Sequence, residues 1–230
     1  MIGTHRPMLR ERRVAPSILS ADFARLGAQV SEVLAAGARV IHVDVMDGHF
    51  VPPITFGAVV VSALADLVHN AGGILDVHMM VERPERHIAD IAKAGADSIT
   101  IHIEATSHVH YTLDQIRAAG CTAGAALCPA TPIETLAEVA PDTLDLALCM
   151  SVNPGWGAQS FIPHSLSKLE RMRRALPPEV GLEVDGGIHG ETAGPAVQAG
   201  ANLLVTGSAV FGSDDPAASY ARITAAAGAV

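Results

Sequence analysis

The sequence predicts a single (β/α)8 TIM barrel, an α/β fold, on three observations. Eight short apolar runs recur along the 230 residues, each followed by a polar or Gly/Pro turn and an amphipathic stretch. Four helical stretches stop at a glycine just before the next apolar run, at Gly37, Gly95, Gly120 and Gly200; glycine most easily takes the left-handed conformation that ends a helix. Composition shifts nowhere to mark a domain boundary. Strand–helix alternation repeated eight times in a chain of this length is the pattern of a closed parallel barrel. A doubly wound open sheet would carry a GxGxxG turn after its first strand, and none stands there.

The opening, MIGTHRPMLRERR, carries four Arg and no apolar core, so it reads as a loose N-terminal arm (1–13) and not as a secretory signal, ahead of a barrel over 14–230. The expected strands are APSILS (15–20), VIHVDV (40–45), ILDVHM (74–79) and SITIHI (98–103), then AGAALC (123–128), LALCMS (146–151), LEVDG (182–186) and NLLVTG (202–207). Between them lie helical patterns such as FARLGAQVSEVLAAG and ERHIADIAKAG. No apolar run reaches the roughly 18 residues of a membrane span.

Charge narrows the partners. Lys+Arg is 15 against Asp+Glu 24, a net charge of −9, which disfavours nucleic acid and anionic membrane. A phosphorylated small molecule stays open, because backbone N–H groups bind phosphate without Lys or Arg. Three cysteines, Cys121, Cys128 and Cys149, form no CxxC pair and read as reduced thiols of a cytoplasmic protein.

Polar residues interrupt the apolar strands with a period of two. His42 and Asp44 share one face while Ile41, Val43 and Val45 take the other. The same alternation pairs Asp76 with His78, His102 with Glu104, and Glu183 with Asp185. Any one of these would be an ordinary hydrogen-bonded inward group. Together they make a cluster that needs internal pairing, a metal, or both, since unpaired buried charge costs several kcal/mol. His42, Asp44, His78 and Asp185 are expected at the strand tops, where barrels build their sites. That mixed N/O set suits one divalent ion such as Zn²⁺, Fe²⁺, Mn²⁺ or Co²⁺. Asp76 and Glu183 fall two residues lower, as supports or packing groups; His102 and Glu104 are left unassigned. The glycine turns DGGI (185–188) and TGSAVF (206–211) end the last two strands, where barrels often bind phosphate, and NPGWGAQSF (153–161) would add a lid or a third donor.

Seven stretches, PSILSADF, HVDVMDGHFVP, DVHMMVERP, ADSITIHIEA, MSVNPGWGAQSFIP, EVDGGI and GANLLVTGSAVF, together resemble the ribulose-phosphate 3-epimerase family, colinearly over about residues 14–224. The resemblance implies a metal-dependent isomerase of carbohydrate metabolism that interconverts D-ribulose 5-phosphate and D-xylulose 5-phosphate through an enediolate, in the pentose phosphate and Calvin pathways. It implies metal ligands at His42, Asp44, His78 and Asp185, with Asp44 the proton acceptor and Asp185 the donor. Substrate contacts would be Ser17, His42 and His78, the turn Gly155, Trp156, Gly157 and Ala158, then Asp185, Gly186 and Gly187, and Gly207 with Ser208. Met46, Met80 and Met150 match three site-lining methionines, and the family suggests a homo-oligomer. Three positions depart from the family's usual pattern, and at one of them Trp156 replaces a phenylalanine. Ala158 replaces a glycine, which argues against a positive φ there, and Cys128 replaces an asparagine, which would lose a polar contact. The alternatives are the same chemistry on D-allulose 6-phosphate, a sugar-phosphate lyase or synthase on a related barrel, and a non-catalytic phosphate-binding barrel.

Overall fold

The structure, a computed structural model, describes residues 7–139 and 143–230. Eight parallel strands, β1 (Arg13–Pro16), β2 (Val40–Met46), β3 (Ile74–Met80), β4 (Ser98–His102), β5 (Thr122–Leu127), β6 (Leu146–Met150), β7 (Gly181–Asp185) and β8 (Leu203–Thr206), run in the order β1-β8-β7-β6-β5-β4-β3-β2. A single parallel bridge between Ser17 and His42 brings the two end strands together. The helices among the described residues are α1 (Leu26–Ala35), α2 (Ala58–Asn70), α3 (Ile88–Lys93), α4 (Val109–Ala118) and α5 (Glu134–Ala137), followed by α6 (His164–Ala175), α7 (Ala193–Gln198), α8 (Ser208–Phe211) and α9 (Pro216–Ala227). This is the (β/α)8 barrel that the alternation predicts. Gly37, Gly95, Gly120 and Gly200 all take positive φ.

The first strand lies two residues earlier than expected and ends at Pro16. Ser17 caps a 3-10 turn over Ile18–Ser20, its hydroxyl accepting from the Leu19 N–H at 3.2 Å, so the apolar run continues as a turn and not as strand. β4 likewise ends at His102, and Glu104 sits on the next 3-10 turn, Ile103–Ala105.

Strand alternation separates one outward core from smaller inward clusters. Ile41, Val43, Val45, Leu75, Val77, Ile99, Ile101 and Val184 face outward and pack under the helices. Inward at the foot of the barrel, Val40, Ile74, Leu146, Leu203 and Val205 form a separate apolar cluster with Leu9. Residues 1–6 of the segment expected as an arm lie outside the described residues; Met8–Arg10 form one 3-10 turn that buries Leu9 to 1 % exposure. Asn202 donates from Nδ2 to the Leu9 carbonyl at 2.5 Å and accepts the Leu182 N–H at 2.6 Å, fastening this turn to β7. A Cβ on Gly181 would stand 2.7 Å from the Leu9 carbonyl oxygen, so only glycine admits the plug. On the same side, the Val230 N–H donates to the Arg12 carbonyl at 3.0 Å.

Truncating a buried leucine removes transfer free energy and leaves a cavity, at about 2–5 kcal/mol. Leu9→Ala is therefore expected to lower stability by about 2–4 kcal/mol in urea unfolding. An unchanged unfolding midpoint would remove Leu9 from the core.

Candidate active site

Register decides which polar groups meet. β2 and β3 pair His42 opposite Asp76 and Asp44 opposite His78, and β6 and β7 pair Met150 opposite Asp185. His42, Asp76, His78, His102 and Glu183 are each 0 % exposed and Asp44 is 3 % exposed. The inward alternation read from the sequence thus places them as expected, with Asp76 and Glu183 one layer below.

Each of these groups has partners. Asp44 Oδ2 accepts from the Ser17 hydroxyl at 2.6 Å, and its Oδ1 lies 3.0 Å from His78 Nδ1 and 3.4 Å from His42 Nε2. Asp185 Oδ2 stands 4.0 Å from His78 Nδ1. Beneath, His42 Nδ1 is 2.8 Å from Asp76 Oδ2 and 3.4 Å from Glu183 Oε1. To one side, His78 Nε2 meets His102 Nε2 at 2.9 Å, and His102 Nδ1 faces Glu104 Oε2 at 3.2 Å. The Cys128 thiol is 3.5 Å from the same His102 nitrogen, while the Cys128 N–H donates to Glu104 Oε1 at 2.8 Å. Cys128 therefore keeps polar contacts at this position, contrary to the expected loss.

Burial and neighbouring charge set the proton affinities in different directions. Burial opposes charge on His42, but the carboxylates of Asp44, Asp76 and Glu183 outweigh it and raise its pKa well above the ordinary value. Burial likewise works against ionised Asp44, and the imidazoles of His42 and His78 overcome it, holding Asp44 far below the usual carboxylate range. Asp185 moves the other way: burial and the charge of Asp44 push it up to about 7. Burial brings His78 down to about 4. Glu183 is pushed up by burial and by Asp76. For Glu104 burial is again outweighed, here by hydrogen bonds from His102, Thr131 and Cys128, which bring it to about 2. Environments that separate the proton affinities of two neighbouring carboxylates mark acid/base pairs.

A cleft of about 570 Å³, including its open mouth, lies over this cluster. Its walls include Ser17, Asp44, Met46, Met80, Met150, Asp185, the turn Gly155, Trp156, Gly157 and Ala158, the pair Gly186 and Gly187, and Gly207 with Ser208. The sequence-predicted residues are thus brought to one place, except that His42 and His78 form the floor and do not line the open space. Cβ atoms at Gly186 and Gly187 would run into Val152 at 2.4 Å and the Phe161 backbone at 2.5 Å, and both residues have positive φ. Among the described residues no hydrogen bond uses the N–H of Gly187 or Ser208. Ser208 opens the one-turn helix α8.

The sequence reading missed some of the wall. Leu19, Ser20, Asn153 and Gln159 also line the cleft. Gln159 stood inside the NPGWGAQSF stretch; its Nε2 donates to the carbonyls of Asn153 and Trp156 at 2.7 and 2.8 Å, tying the loop into a ring. That closure corrects the expectation for Ala158, which takes φ 58 without being glycine.

The donor set can be tested for a cation on its own chemistry. His42, Asp44, His78 and Asp185 each offer one ligand atom, all within 4.8 Å of one another. His42 Nε2 is buried and makes no hydrogen bond among the described residues, while its Nδ1 is committed to Asp76. A histidine whose outer nitrogen is held by a carboxylate and whose inner nitrogen makes no hydrogen bond is arranged to ligate a metal in exchange for its proton. The residues fit a divalent ion.

This is a barrel enzyme with a buried acidic and imidazole centre at the carboxyl ends of its strands. The sequence model of the ribulose-phosphate 3 epimerase family matches residues 13–211. The chain is 49% identical over 208 residues to the ribulose-phosphate 3-epimerase of Bacillus subtilis, covering 88% of this chain and 94% of that one. It is 50% identical over 217 residues to the Synechocystis enzyme of the same name, covering 91% and 92%. Among solved structures, a 3-hexulose-6-phosphate synthase superposes with a TM-score of 0.72 at 21% identity over 93% of this chain and 99% of that one, which shows a shared fold. The chain belongs to the ribulose-phosphate 3 epimerase family and is an epimerase.

A non-glycine residue in the left-handed region is strained by roughly 1–2 kcal/mol, while glycine loosens the unfolded chain by about 0.4–1 kcal/mol. Ala158→Gly should therefore raise stability by up to about 1 kcal/mol in thermal unfolding. A clear loss would mean that the Ala158 backbone carries no strain.

Proposed function

We propose that the chain interconverts D-ribulose 5-phosphate and D-xylulose 5-phosphate by taking the C3 proton and returning one from the opposite face. The observation that carries this reading is the convergence of two carboxylates from strands far apart in the barrel, Asp44 on β2 and Asp185 on β7, at 3.0 and 4.0 Å from the same His78 nitrogen. Inversion beside a ketone needs one proton carrier on each face of a planar enediolate, and a single carboxylate cannot reach both.

Asp44 takes the proton and Asp185 gives it, an order that fits their starting forms: Asp44 is held ionised and open to a proton, and Asp185 more readily keeps one to give. Ser17, through its 2.6 Å bond, holds Asp44 at a fixed angle. His42, Asp44, His78 and Asp185 would hold one divalent cation, Zn²⁺, Fe²⁺, Mn²⁺ or Co²⁺. When bound, that cation would polarise the ketone and stabilise negative charge on its oxygen. The free N–H groups of Gly187 and Ser208, at turns too tight for a side chain, would receive the phosphate. Met46, Met80 and Met150 line the cleft over the sugar's carbon chain and exclude water. The working form would be a cytoplasmic homo-oligomer acting on a small sugar phosphate.

The test is NMR of D-ribulose 5-phosphate in D₂O with the cation-loaded protein. Deuterium at C3 with xylulose 5-phosphate appearing, both lost on chelation, is the expected result. Absence of C3 exchange in protein that retains its cation would overturn the pentose reading. Asp44→Asn is expected to cut turnover by at least about 10³-fold, within the range that general-base loss produces, with the barrel's circular dichroism intact; wild-type-like turnover would remove Asp44 as the acceptor. His78→Ala should lose its cation on dialysis, and undiminished content would remove His78 as a ligand.

A further inference from the structure

His102 and Glu104 lie outside the cleft walls and outside the donor set just described, yet they form a continuous hydrogen-bonded path to it. We propose that Glu104 and His102 are positioning residues that fix the tautomer and ring orientation of His78 and so set how tightly the site holds its cation; this rests on the cation reading above.

The argument follows the nitrogens outward. A neutral imidazole has one N–H and one lone pair. His78 turns Nδ1 toward Asp44 and Asp185, at 3.0 and 4.0 Å, so this is the nitrogen available to a cation. Its proton must then sit on Nε2, which is fully buried with the ring and needs an acceptor. The group in reach is His102 Nε2, at 2.9 Å. For that atom to accept, His102 must carry its own proton on Nδ1, which faces Glu104 Oε2 at 3.2 Å. Glu104 is fixed in turn: its other oxygen takes the Cys128 N–H at 2.8 Å and the Thr131 hydroxyl. With a cation on Nδ1 these steps follow one from the next; with a proton there instead, donated to Asp44 Oδ1 at 3.0 Å, the chain of donors would run the other way.

Packing removes the alternative of a rotated ring. His102 is 0 % exposed, its ring centroid lies 5.0 Å from His78 and 4.7 Å from Phe50, and the ring is therefore held on two sides. The other histidine reaches its carboxylate directly, His42 to Asp76 at 2.8 Å. Among the described residues the outer nitrogen of His78, Nε2, reaches a carboxylate through a second imidazole, and Thr100, not an acidic residue, stands opposite on β4. Outer hydrogen-bond partners of metal-bound histidines commonly change metal affinity by about 10–100-fold when removed.

The experiment uses the full chain loaded with Co²⁺ and follows its release to a chelator by the visible cobalt absorption. Glu104→Gln and His102→Phe, the second close in volume and able to stack on Phe50, are expected to release Co²⁺ about 10–100-fold faster than the parent. His102→Gln, whose amide oxygen offers an acceptor to His78, should recover most of the difference. KM for the sugar phosphate at saturating Co²⁺ should stay unchanged, since neither residue touches the cleft. Parent-like release from Glu104→Gln and His102→Phe would overturn the positioning role. So would equal acceleration in His102→Gln, which would mark a packing effect alone. If the parent and His78→Ala release Co²⁺ alike, the cation reading itself fails. Glu104 stands at the rim with a quarter of its side chain exposed, so its variant keeps the test available should a change at His102 disturb folding.

Discussion

The hydrogen bond from the Ser17 hydroxyl to Asp44 is the constraint on which the rest of the site depends. It crosses the one seam of the barrel where the end strands share only a single bridge, between Ser17 and His42. Closing the sheet and orienting the central carboxylate are thus one event. A carboxylate this deeply buried would be costly if left alone. Here the hydroxyl and two imidazoles surround it, and the seam is sealed by groups whose first role is chemical. The apolar work is done elsewhere, by the cluster under the helices and by the small cluster closed with Leu9 at the foot.

That division leaves the upper barrel free to be polar. Histidines and carboxylates from β2, β3, β4 and β7 converge in the upper interior. β5 answers them with small residues, Gly124 and Ala126, and a Cβ on Gly124 would meet Thr100 Oγ1 at 2.1 Å. Ala126, beside His102, leaves room for that ring, and Gly124 leaves room for Thr100 on the neighbouring strand. The affinities follow from the same crowding. Asp44 lies among imidazoles and stays ionised; Asp185 lies beside Asp44 and holds its proton more tightly.

Much of this was legible in the sequence because barrel strands have a strict period of two. His42 with Asp44, Asp76 with His78, and Glu183 with Asp185 read as inward pairs from spacing alone, and the cleft gathers the turns at Gly155, Gly186 and Gly207 as expected. The misreadings have physical causes. APSILS looked like a strand because its residues are apolar, but Pro16 and the Ser17 cap turn the chain after β1. Glu104 kept the alternation and still left the strand, since β4 gives way to a 3-10 turn after His102. Leu9 was invisible because the pair Met8 and Leu9 among arginines is too short to carry a periodicity. Ala158 misled because its backbone is set by Gln159, a side chain that clamps two carbonyls three and six residues away.

The bond from the Val230 N–H to the Arg12 carbonyl has a different consequence. It lies at the foot of the barrel, among the loops that enter the strands, while the cleft lies at the opposite face. The segment that leads into β1 and the one that follows α9 are thereby held side by side, so the first and last strand–helix units close on each other as neighbours. What the site requires is the cyclic order of its eight strand–helix units.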